Sequence, residues 1–221
     1  MNVVVAMAWR PQPARIDAHD HCVAWWEAVL PDAELIEVDT HHHPYNLAAV
    51  RNEGVRQAEA QGADVVILTD ADSVLAPALA LRSAIADAVM DGKLHLPFTE
   101  QRYLTRVETE VLLDGGVVPL AGGHGNGACY VVTPAAYWAC GGSDERFSGW
   151  GGDDDGLVAA AATLIGVERH PGTVLSLWHA DERRPVGTPE HRPNAELAAR
   201  YWAALDDPDA MRALIAEREA A

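Results

Sequence analysis

Apolar and polar positions divide the first part of the chain into short blocks of two kinds. Residues 3–7, 34–38 and 65–68 are typical of β-strands, and the first and third are continuous apolar runs, as in strands covered on both faces. Residues 17–30 and 47–61 instead place apolar side chains at helical spacing. This order of strand, helix, strand, helix and strand predicts an open, mostly parallel α/β sheet flanked by helices.

The pattern continues less regularly through the rest of the chain. Pro77 begins a predicted helix that runs to residue 90, and a short strand follows at residues 94–96. No internal repeat or linker divides the sequence, so we expect a single domain. The further predicted elements are a strand at residues 128–132, a short helix from Thr133 to Gly141, a helix that begins at Asp153 and has residues 157–165 as its middle, a strand at 174–178, a polar, proline-rich segment at 181–193, and terminal helices at 194–205 and 208–219.

The composition is that of a folded, strongly acidic protein. The chain has 221 residues, of which 49% are hydrophobic, and this is enough for a substantial core. Its 33 acidic and 16 basic side chains give a net charge of −17. Because proteins bind phosphate backbones mainly through Lys and Arg, this charge weighs against a nucleic-acid partner without excluding one.

Cysteine usage and the first residues indicate the compartment. Cys22, Cys129 and Cys140 are odd in number and lack the spacing of a metal site, which is typical of reduced thiols in a cytosolic protein. The first residues carry no basic segment, and their apolar stretch is too short for a signal peptide or a membrane span. We therefore expect a cytoplasmic protein, in the host cytoplasm if a phage encodes it, with no membrane contact and no obligate protein partner.

Two carboxylates, Asp70 and Asp72, directly follow the apolar run at residues 65–68. Ligands of open α/β sheets bind at the carboxyl ends of the strands, and Mg²⁺ or Mn²⁺ prefers oxygen ligands. The pair could also cap the next helix, but its position favours a metal site. His179, after the predicted strand at 174–178, would add a ligand from a second strand, although a lone histidine is more often structural.

Two arginines are candidates for contacts to phosphate. Arg10 and Asp39 fall at carboxyl ends of predicted strands, and Arg51 lies near the start of the second predicted helix. A guanidinium fork matches the oxygens of a diphosphate. An exposed position on the surface explains each arginine equally well.

The most informative stretch is Gly-Trp-Gly-Gly-Asp-Asp-Asp at residues 149–155. Adjacent carboxylates repel one another, so a fold keeps three together only where a cation, a sugar or water compensates their charge. Glycine lets the backbone approach a ligand, the face of Trp150 suits a sugar ring, and a carboxylate can act as a general base. The dipole of a helix N-terminus would explain one or two of the acids, but not all three behind Trp-Gly-Gly.

Two segments of the chain resemble the GT-A glycosyltransferases. Residues 44–54, Pro-Tyr-Asn-Leu-Ala-Ala-Val-Arg-Asn-Glu-Gly, together with the strand into Asp70-Ala71-Asp72, resemble the nucleotide-binding half of that family. Residues 141–155, Gly-Gly-Ser-Asp-Glu-Arg-Phe-Ser-Gly-Trp-Gly-Gly-Asp-Asp-Asp, resemble the galactosyltransferase-type segment Gly-Gly-Phe-Asp-Glu-x-Phe…Gly-Trp-Gly-Gly-Glu-Asp. The matched pieces span most of the chain, from residue 3 to residue 179.

The resemblance implies a Rossmann-like GT-A domain at residues 1–181, with a nucleotide-sugar half at 1–98 and an acceptor half at 99–181. A polar loop and C-terminal helices at 182–221 follow it. The resemblance also implies a nucleotide-sugar donor, usually a UDP-sugar, and a Mn²⁺ or Mg²⁺ ion. The implied roles are nucleotide-sugar binding by Arg10, Asp39, Arg51 and Asp70, metal binding by Asp72, His179 and Asp70, acceptor binding by Trp150, Gly151 and Asp153, and catalysis by Asp154 as the base.

The chain departs from the family pattern at two positions. Asp153 stands where Glu is usual, which shortens its reach by one methylene, and Ser143 stands where Phe is common. The short chain without a membrane anchor points to a bacterial or phage enzyme. The resemblance favours an inverting transfer to an acceptor that is a glycan, a small molecule, a protein or a modified nucleic acid.

Three other functions compete with this interpretation. A retaining glycosyltransferase of the same fold and a non-catalytic module that binds a nucleotide sugar or a carbohydrate stay open as alternatives. A nucleotidyltransferase would need a basic, glycine-rich loop after the first strand. Residues 8–11, Ala-Trp-Arg-Pro, do not provide one.

Overall fold

The first strand, β1 (Val3–Ala8), is buried along most of its length and lies inside the main sheet. The computed structural model describes residues 1–179 and 192–220. The other strands in these residues are β2 (Glu34–Val38), β3 (Val65–Asp70), β4 (Ser73–Ala76), β5 (Leu94–Leu96), β6 (Glu100–Tyr103), β7 (Cys129–Val132), β8 (Val167–Arg169) and β9 (Thr173–Ser176). The helices are α1 (Ile16–Val29), α2 (Leu47–Ala60), α3 (Leu79–Asp91), α4 (Arg106–Leu113), α5 (Pro134–Ala139), α6 (Asp153–Leu164), α7 (Arg192–Ala203) and α8 (Pro208–Ala216), with 3₁₀ turns at Pro13–Arg15 and Glu217–Ala220.

The described residues form a six-stranded central sheet in the order β2-β1-β3-β7-β5-β8. β1 pairs in parallel with both β2 and β3, and β5 pairs in parallel with β8. Among the described strands of this sheet, only β7 runs in the opposite direction, because it is antiparallel to β3 and to β5. The prediction of a single α/β domain with a mostly parallel sheet is therefore confirmed.

A second, smaller sheet in the described residues has the order β4-β9-β6. β4 begins directly after Asp72, and β9 pairs with it in antiparallel fashion. Beyond β9 the backbone N–H of Leu177 donates to the carbonyl oxygen of Asp72 at 2.7 Å. This pairing brings His179 to the end of β3, as the metal hypothesis requires.

The start of α2 is tied to the loop that precedes α6. The side chain of Asn46 accepts a hydrogen bond from the N–H of Ala49 at 2.9 Å, which caps α2. Its amide nitrogen also donates to the carbonyl oxygen of Glu145 at 2.8 Å. The two segments that carry the family resemblance therefore meet in the fold.

The terminal helices α7 and α8 pack on α6 around an apolar cluster that includes Phe147, Tyr201 and Met211 and is separate from the core around the main sheet. Both helices were predicted, with ends a few residues away. Residues 181–191 of the predicted polar segment lie outside the described residues, and Arg192 begins α7. Within residues 1–179 and 192–220, no helix is both long enough and apolar enough to cross a membrane.

Candidate active site

Arg51 brings the two acidic groups of the sequence together. Its NH1 lies 2.9 Å from Oδ2 of Asp153, and its NH2 lies 2.7 Å from Oδ1 of Asp154. The same NH2 is 3.8 Å from Oδ1 of Asp70, at the end of β3. The guanidinium thus lies among carboxylates, and its predicted contact to a diphosphate stays a prediction.

This cluster has more negative than positive charge within the described part of the chain. Burial raises the pKa of Asp70 to about 7, although the charge of Arg51 opposes the shift. Burial also raises the pKa of Asp153 to about 6, and the charge of Asp154 adds to the effect. Burial disfavours the cationic form of Arg51, but the acids nevertheless raise its pKa well above the usual value. The cluster therefore favours the binding of a further cation or a proton.

Asp72 and His179 are the best-placed candidates for metal ligands. Oδ2 of Asp72 lies 3.0 Å from Nε2 of His179 and 2.6 Å from NH2 of Arg15. Burial works to raise the pKa of Asp72, but the hydrogen bond from His179 and the charge of Arg15 lower it below its usual value.

The spacing of these two atoms suits a six-coordinate divalent ion. Neighbouring ligand atoms of an octahedral ion with bonds of about 2.1 Å lie about 3 Å apart, which matches the separation of the Asp72 oxygen and the His179 nitrogen. The carboxylate suits Mn²⁺ or Mg²⁺, whereas imidazole is a ligand of transition-metal ions, so the presence of His179 favours Mn²⁺ over Mg²⁺ at this pair. The described residues contain no preformed group of three such ligands, and Arg15 supplies the positive charge beside Asp72.

Arg10 and Asp39 form a two-pronged ion pair at the carboxyl ends of β1 and β2. Nε of Arg10 donates to Oδ2 of Asp39 at 2.9 Å, and NH2 donates to Oδ1 at 2.6 Å. The side-chain hydrogen bond from Arg10 lowers the pKa of Asp39 to about 2. The guanidinium also lies over the ring of Tyr45, 4.9 Å from its centroid. The structure therefore brings together two of the predicted nucleotide-binding residues.

The loop that carries Trp150 is held from two sides. The backbone N–H of Gly149 donates to the carbonyl oxygen of Tyr45 at 3.1 Å, and the amide of Asn194 donates to the carbonyl oxygen of Trp150 at 3.2 Å. Trp150 keeps half of its surface exposed, as a stacking platform requires. Gly151, which was predicted to contact the acceptor, adjoins it in the same loop with a φ of +95°.

Gly152 is required where this loop enters α6. Its φ is +88°, in the left-handed region that favours glycine, and an added Cβ would lie 2.9 Å from the ring of Phe147. The bare backbone at this point lets α6 start with Asp153, whose side chain then reaches Arg51.

Other acids of the resembling segment have structural partners. Oδ2 of Asp144, which is buried, accepts hydrogen bonds from NH2 of Arg146 at 2.7 Å and from the hydroxyl of Tyr201 at 2.8 Å. Oδ1 of Asp155 accepts one from the amide of Asn126 at 2.7 Å. Asp153 and Asp154 are thus the members of this segment that line the site.

Two further residues at Asp154, Tyr130 and Gly127, were not predicted from the sequence. The buried hydroxyl of Tyr130 lies 2.7 Å from Oδ1 of Asp154, and its ring lies under the guanidinium of Arg51 at 5.1 Å. A Cβ added to Gly127 would lie 2.4 Å from Oδ2 of Asp154. The signal in the sequence was a tyrosine inside the apolar strand β7, shortly after the glycine-rich loop at residues 122–127.

Comparison with known proteins supports the architecture. No protein-family model matches the chain, and no curated protein matches it. A mutant of Drosophila β1,4-galactosyltransferase 7, solved with manganese, UDP-Gal and xylobiose, has a TM-score of 0.55 at 14% identity, covering 86% of this chain and 78% of that one. The fold is that of the GT-A glycosyltransferases.

Two further solved structures have this architecture. GalNAc-T7 with UDP, GalNAc and Mn²⁺ has a TM-score of 0.53 at 11% identity, covering 90% of this chain and 47% of that one. TarS of S. aureus with UDP has a TM-score of 0.51 at 12% identity, covering 99% of this chain and 71% of that one. At these identities the likeness establishes the fold alone.

Proposed function

We propose that this chain is a metal-dependent, inverting glycosyltransferase that moves a sugar from a nucleotide sugar of the UDP class to an acceptor hydroxyl. The observation that carries the proposal is the position of Arg51, which joins the acid of the β3 end, Asp70, to the acids of the α6 start, Asp153 and Asp154. The bound manganese and UDP or UDP-Gal in structures of the same fold support the same chemistry.

The donor is proposed to lie over the carboxyl ends of β1, β2 and β3. Arg10 and Asp39, beside Tyr45, are proposed to contact the base and ribose. Asp72 and His179, with Asp70 nearby, would hold Mn²⁺ or Mg²⁺, which supplies positive charge for the diphosphate when it is bound.

The acceptor is proposed to lie on the other side of Arg51. Trp150, Gly151 and Asp153 would orient it, so that its hydroxyl meets the donor as in an intramolecular reaction. The hydroxyl oxygen forms a bond to the anomeric carbon, the bond from that carbon to the diphosphate breaks, and the nucleoside diphosphate leaves with the electron pair. Asp154 takes the hydroxyl proton as the general base.

These assignments divide the domain as the resemblance implies. The proposed donor contacts fall at residues 1–98, except for His179, and the proposed acceptor contacts fall at residues 99–181. The acceptor is proposed to be a glycan, a small molecule, a protein or a modified nucleic acid. The net charge of −17 disfavours the last class.

The test is release of UDP by the purified chain with Mn²⁺. The donors are UDP-galactose, UDP-glucose, UDP-N-acetylgalactosamine and UDP-N-acetylglucosamine, with a panel of p-nitrophenyl glycosides as acceptors. We expect release from at least one donor and a fall of about 100-fold or more in Asp154→Asn. Calorimetric affinity for UDP with Mn²⁺ should stay within about twofold, since Asp154 serves the acceptor. Asp209→Asn, at a fully exposed side chain, is the matched control and should retain wild-type turnover.

Three other results would contradict the transfer activity, the inversion and the role of Asp154, respectively. Binding of UDP and donor without release by the wild-type chain would indicate a binding module. A product with the anomeric configuration of the donor, seen by NMR, would overturn inversion. Near-normal turnover in Asp154→Asn would remove Asp154 as the base.

A further inference from the structure

The two carboxylate oxygens of Asp154 have different surroundings. Oδ1 lies 2.7 Å from the hydroxyl of Tyr130 and 2.7 Å from NH2 of Arg51. Within residues 1–179 and 192–220, no hydrogen bond is made to Oδ2, and the side chain keeps 34% of its surface exposed. Oδ2 lies against the backbone of Gly127, where an added Cβ would be 2.4 Å away.

We propose that Oδ2 of Asp154 is the atom that takes the acceptor proton, and that Tyr130 and Gly127 are the positioning residues that make it so. Tyr130 holds Oδ1 by its hydroxyl, and Gly127 leaves Oδ2 the room that it occupies. This inference rests on the proposed function, because it names the reacting atom of the proposed base. The proton leaves the acceptor hydroxyl, whose electron pair forms the bond to the anomeric carbon, so no further reactant is required.

The hydroxyl of Tyr130 has a hydrogen-bond acceptor both before and after Asp154 takes the proton. Tyr130 has one hydroxyl hydrogen and, in the described residues, two acceptors, Oδ1 of Asp154 at 2.7 Å and the carbonyl oxygen of Asn126 at 2.5 Å. The ionised carboxylate is the stronger acceptor, so it takes the hydrogen first. Once Oδ2 is protonated, the hydrogen can turn to Asn126 without movement of either side chain.

The loop that supplies this carbonyl is fixed in place. NH1 of Arg169 donates to the carbonyl oxygen of Gly125 at 2.8 Å, and its NH2 donates to Oδ1 of Asn126 at 2.5 Å. The amide of Asn126 in turn donates to Asp155 at 2.7 Å. The frame around Oδ1 is therefore set from β8 and from the first turn of α6, independently of any substrate.

Gly127 offers the sharper of two tests, because an alanine there alters little except the space at Oδ2. Its φ lies outside the left-handed region, so the backbone tolerates a side chain. Gly123, in the same loop, also lacks a left-handed φ, and a Cβ added there meets no described atom within 4 Å. Gly123→Ala is thus the matched control for Gly127→Ala.

We expect Gly127→Ala to lower kcat/KM for UDP release at least about 100-fold, with the donor that the wild-type chain uses best. UDP affinity with Mn²⁺ and the melting temperature should stay close to wild type. Gly123→Ala should keep kcat/KM within about twofold, since it changes no contact. A Gly127→Ala variant within threefold of wild type would overturn the assignment of Oδ2.

Tyr130→Phe tests the other oxygen. It keeps the ring under Arg51 and removes the hydroxyl, so the ionised form of Asp154 loses a donor. We expect kcat to fall about tenfold, with KM for the donor within about twofold of wild type, because the hydroxyl positions the base and does not touch the donor. Tyr137→Phe removes another buried phenol, which donates to Oδ1 of Asn52 at 2.7 Å outside the site.

Both tyrosine variants should melt at lower temperature, but only Tyr130→Phe should lower kcat with KM for the donor unchanged. A kcat of Tyr130→Phe within about twofold of wild type would show that Tyr130 only packs in the core and does not position the base. Failure of the proposed function looks different, since the wild-type chain itself would then release no UDP. If the wild-type chain releases UDP and neither Gly127→Ala nor Tyr130→Phe changes the rate, this inference is wrong and the proposed function stands.

Discussion

NH1 of Arg51 lies 2.9 Å from Oδ2 of Asp153, across 102 residues of sequence. Both side chains are almost fully removed from solvent, so the pair is a buried one. The guanidinium comes from the second turn of α2 and the carboxylate from the first residue of α6. The pair therefore fixes the proposed acceptor side of the site relative to the helix that flanks the proposed donor side.

Replacing Arg51 should destabilise the fold in a pH-dependent way. Arg51→Met leaves buried carboxylates without their cation, which costs about 3–5 kcal/mol at pH 7. Because the pKa of Asp153 is raised to about 6, its ionisation already lowers stability as the pH rises from about 4 through 6. Without the cation of Arg51, ionisation of Asp153 should cost more stability than in wild type. The difference in unfolding free energy between wild type and Arg51→Met should therefore become smaller as the pH is lowered from 7 to 5.

Urea unfolding at pH 7, 6 and 5 measures this recovery. Arg56→Met, on the same helix with half of its side chain exposed, is the control and should cost less than about 1 kcal/mol at each pH. A deficit of Arg51→Met that does not change with pH would show that the lost packing of the side chain, and not its charge, matters.

The Arg10–Asp39 pair should contribute stability with the opposite dependence on pH. Since the hydrogen bond from Arg10 lowers the pKa of Asp39 to about 2, this stability is present above about pH 4 and is lost as the pH falls towards 2. Asp39→Asn should therefore be less stable than wild type by about 1 kcal/mol at pH 7.

The difference between wild type and Asp39→Asn should vanish towards pH 2. Guanidinium unfolding between pH 7 and pH 2.5 measures it, with Asp32→Asn at an exposed turn as control. An equal difference at all pH values would contradict an electrostatic origin.

The sequence predicted the part of the site that follows apolar strands. Val65–Asp70 and Val3–Ala8 are buried on both faces, so their apolar runs mark where they end and hence where Asp70, Asp72 and Arg10 lie. The strand before His179 was found in the same way. These predictions depend only on local hydrophobic pattern.

What the sequence did not predict depends on contacts between distant segments. β6 reads Glu-Gln-Arg-Tyr, which has no apolar run, and it forms because β9 on one side and Gly123 on the other pair with it. Arg51 was expected at a diphosphate because guanidinium suits phosphate, and nothing local to it indicates that Asp153 reaches it first. The pairing of Tyr130 with Asp154 likewise depends on how β7 meets α6.

Arg15 should compete with a divalent ion for Asp72. Its NH2 lies 2.6 Å from Oδ2 of Asp72, the oxygen that also faces His179. Removing this positive charge in Arg15→Gln should tighten binding of Mn²⁺ about tenfold in the absence of nucleotide. Asp72→Asn should abolish binding at this site, because it removes the anionic ligand.

Electron paramagnetic resonance of free Mn²⁺ gives both affinities. Arg82→Gln is the control, since Arg82 donates to the backbone carbonyl of Val29 and faces none of the site acids. Unchanged or weaker Mn²⁺ binding in Arg15→Gln would show that Arg15 does not oppose the ion.

Replacing Gly156 in α6 by alanine should have two opposing effects on stability, a gain in helix propensity and a steric clash. In an exposed helix, Gly→Ala gains about 1 kcal/mol through helix propensity. Here the new Cβ would lie 2.7 Å from Cε2 of Phe147, a ring that is almost fully buried, and overpacking of a core costs about 1–3 kcal/mol. We expect the clash to win and Gly156→Ala to be less stable than wild type.

The clash can be separated from propensity by making room at Phe147. Phe147→Leu alone should lose about 1–2 kcal/mol to the smaller side chain. In the double variant the new methyl group fills part of that space, and the helix keeps its gain in propensity. A double-mutant cycle by urea unfolding should therefore give a favourable coupling of about 1 kcal/mol or more. Strict additivity would mean that the backbone of α6 shifts to accommodate alanine, and that the contact of Phe147 does not require glycine at this position.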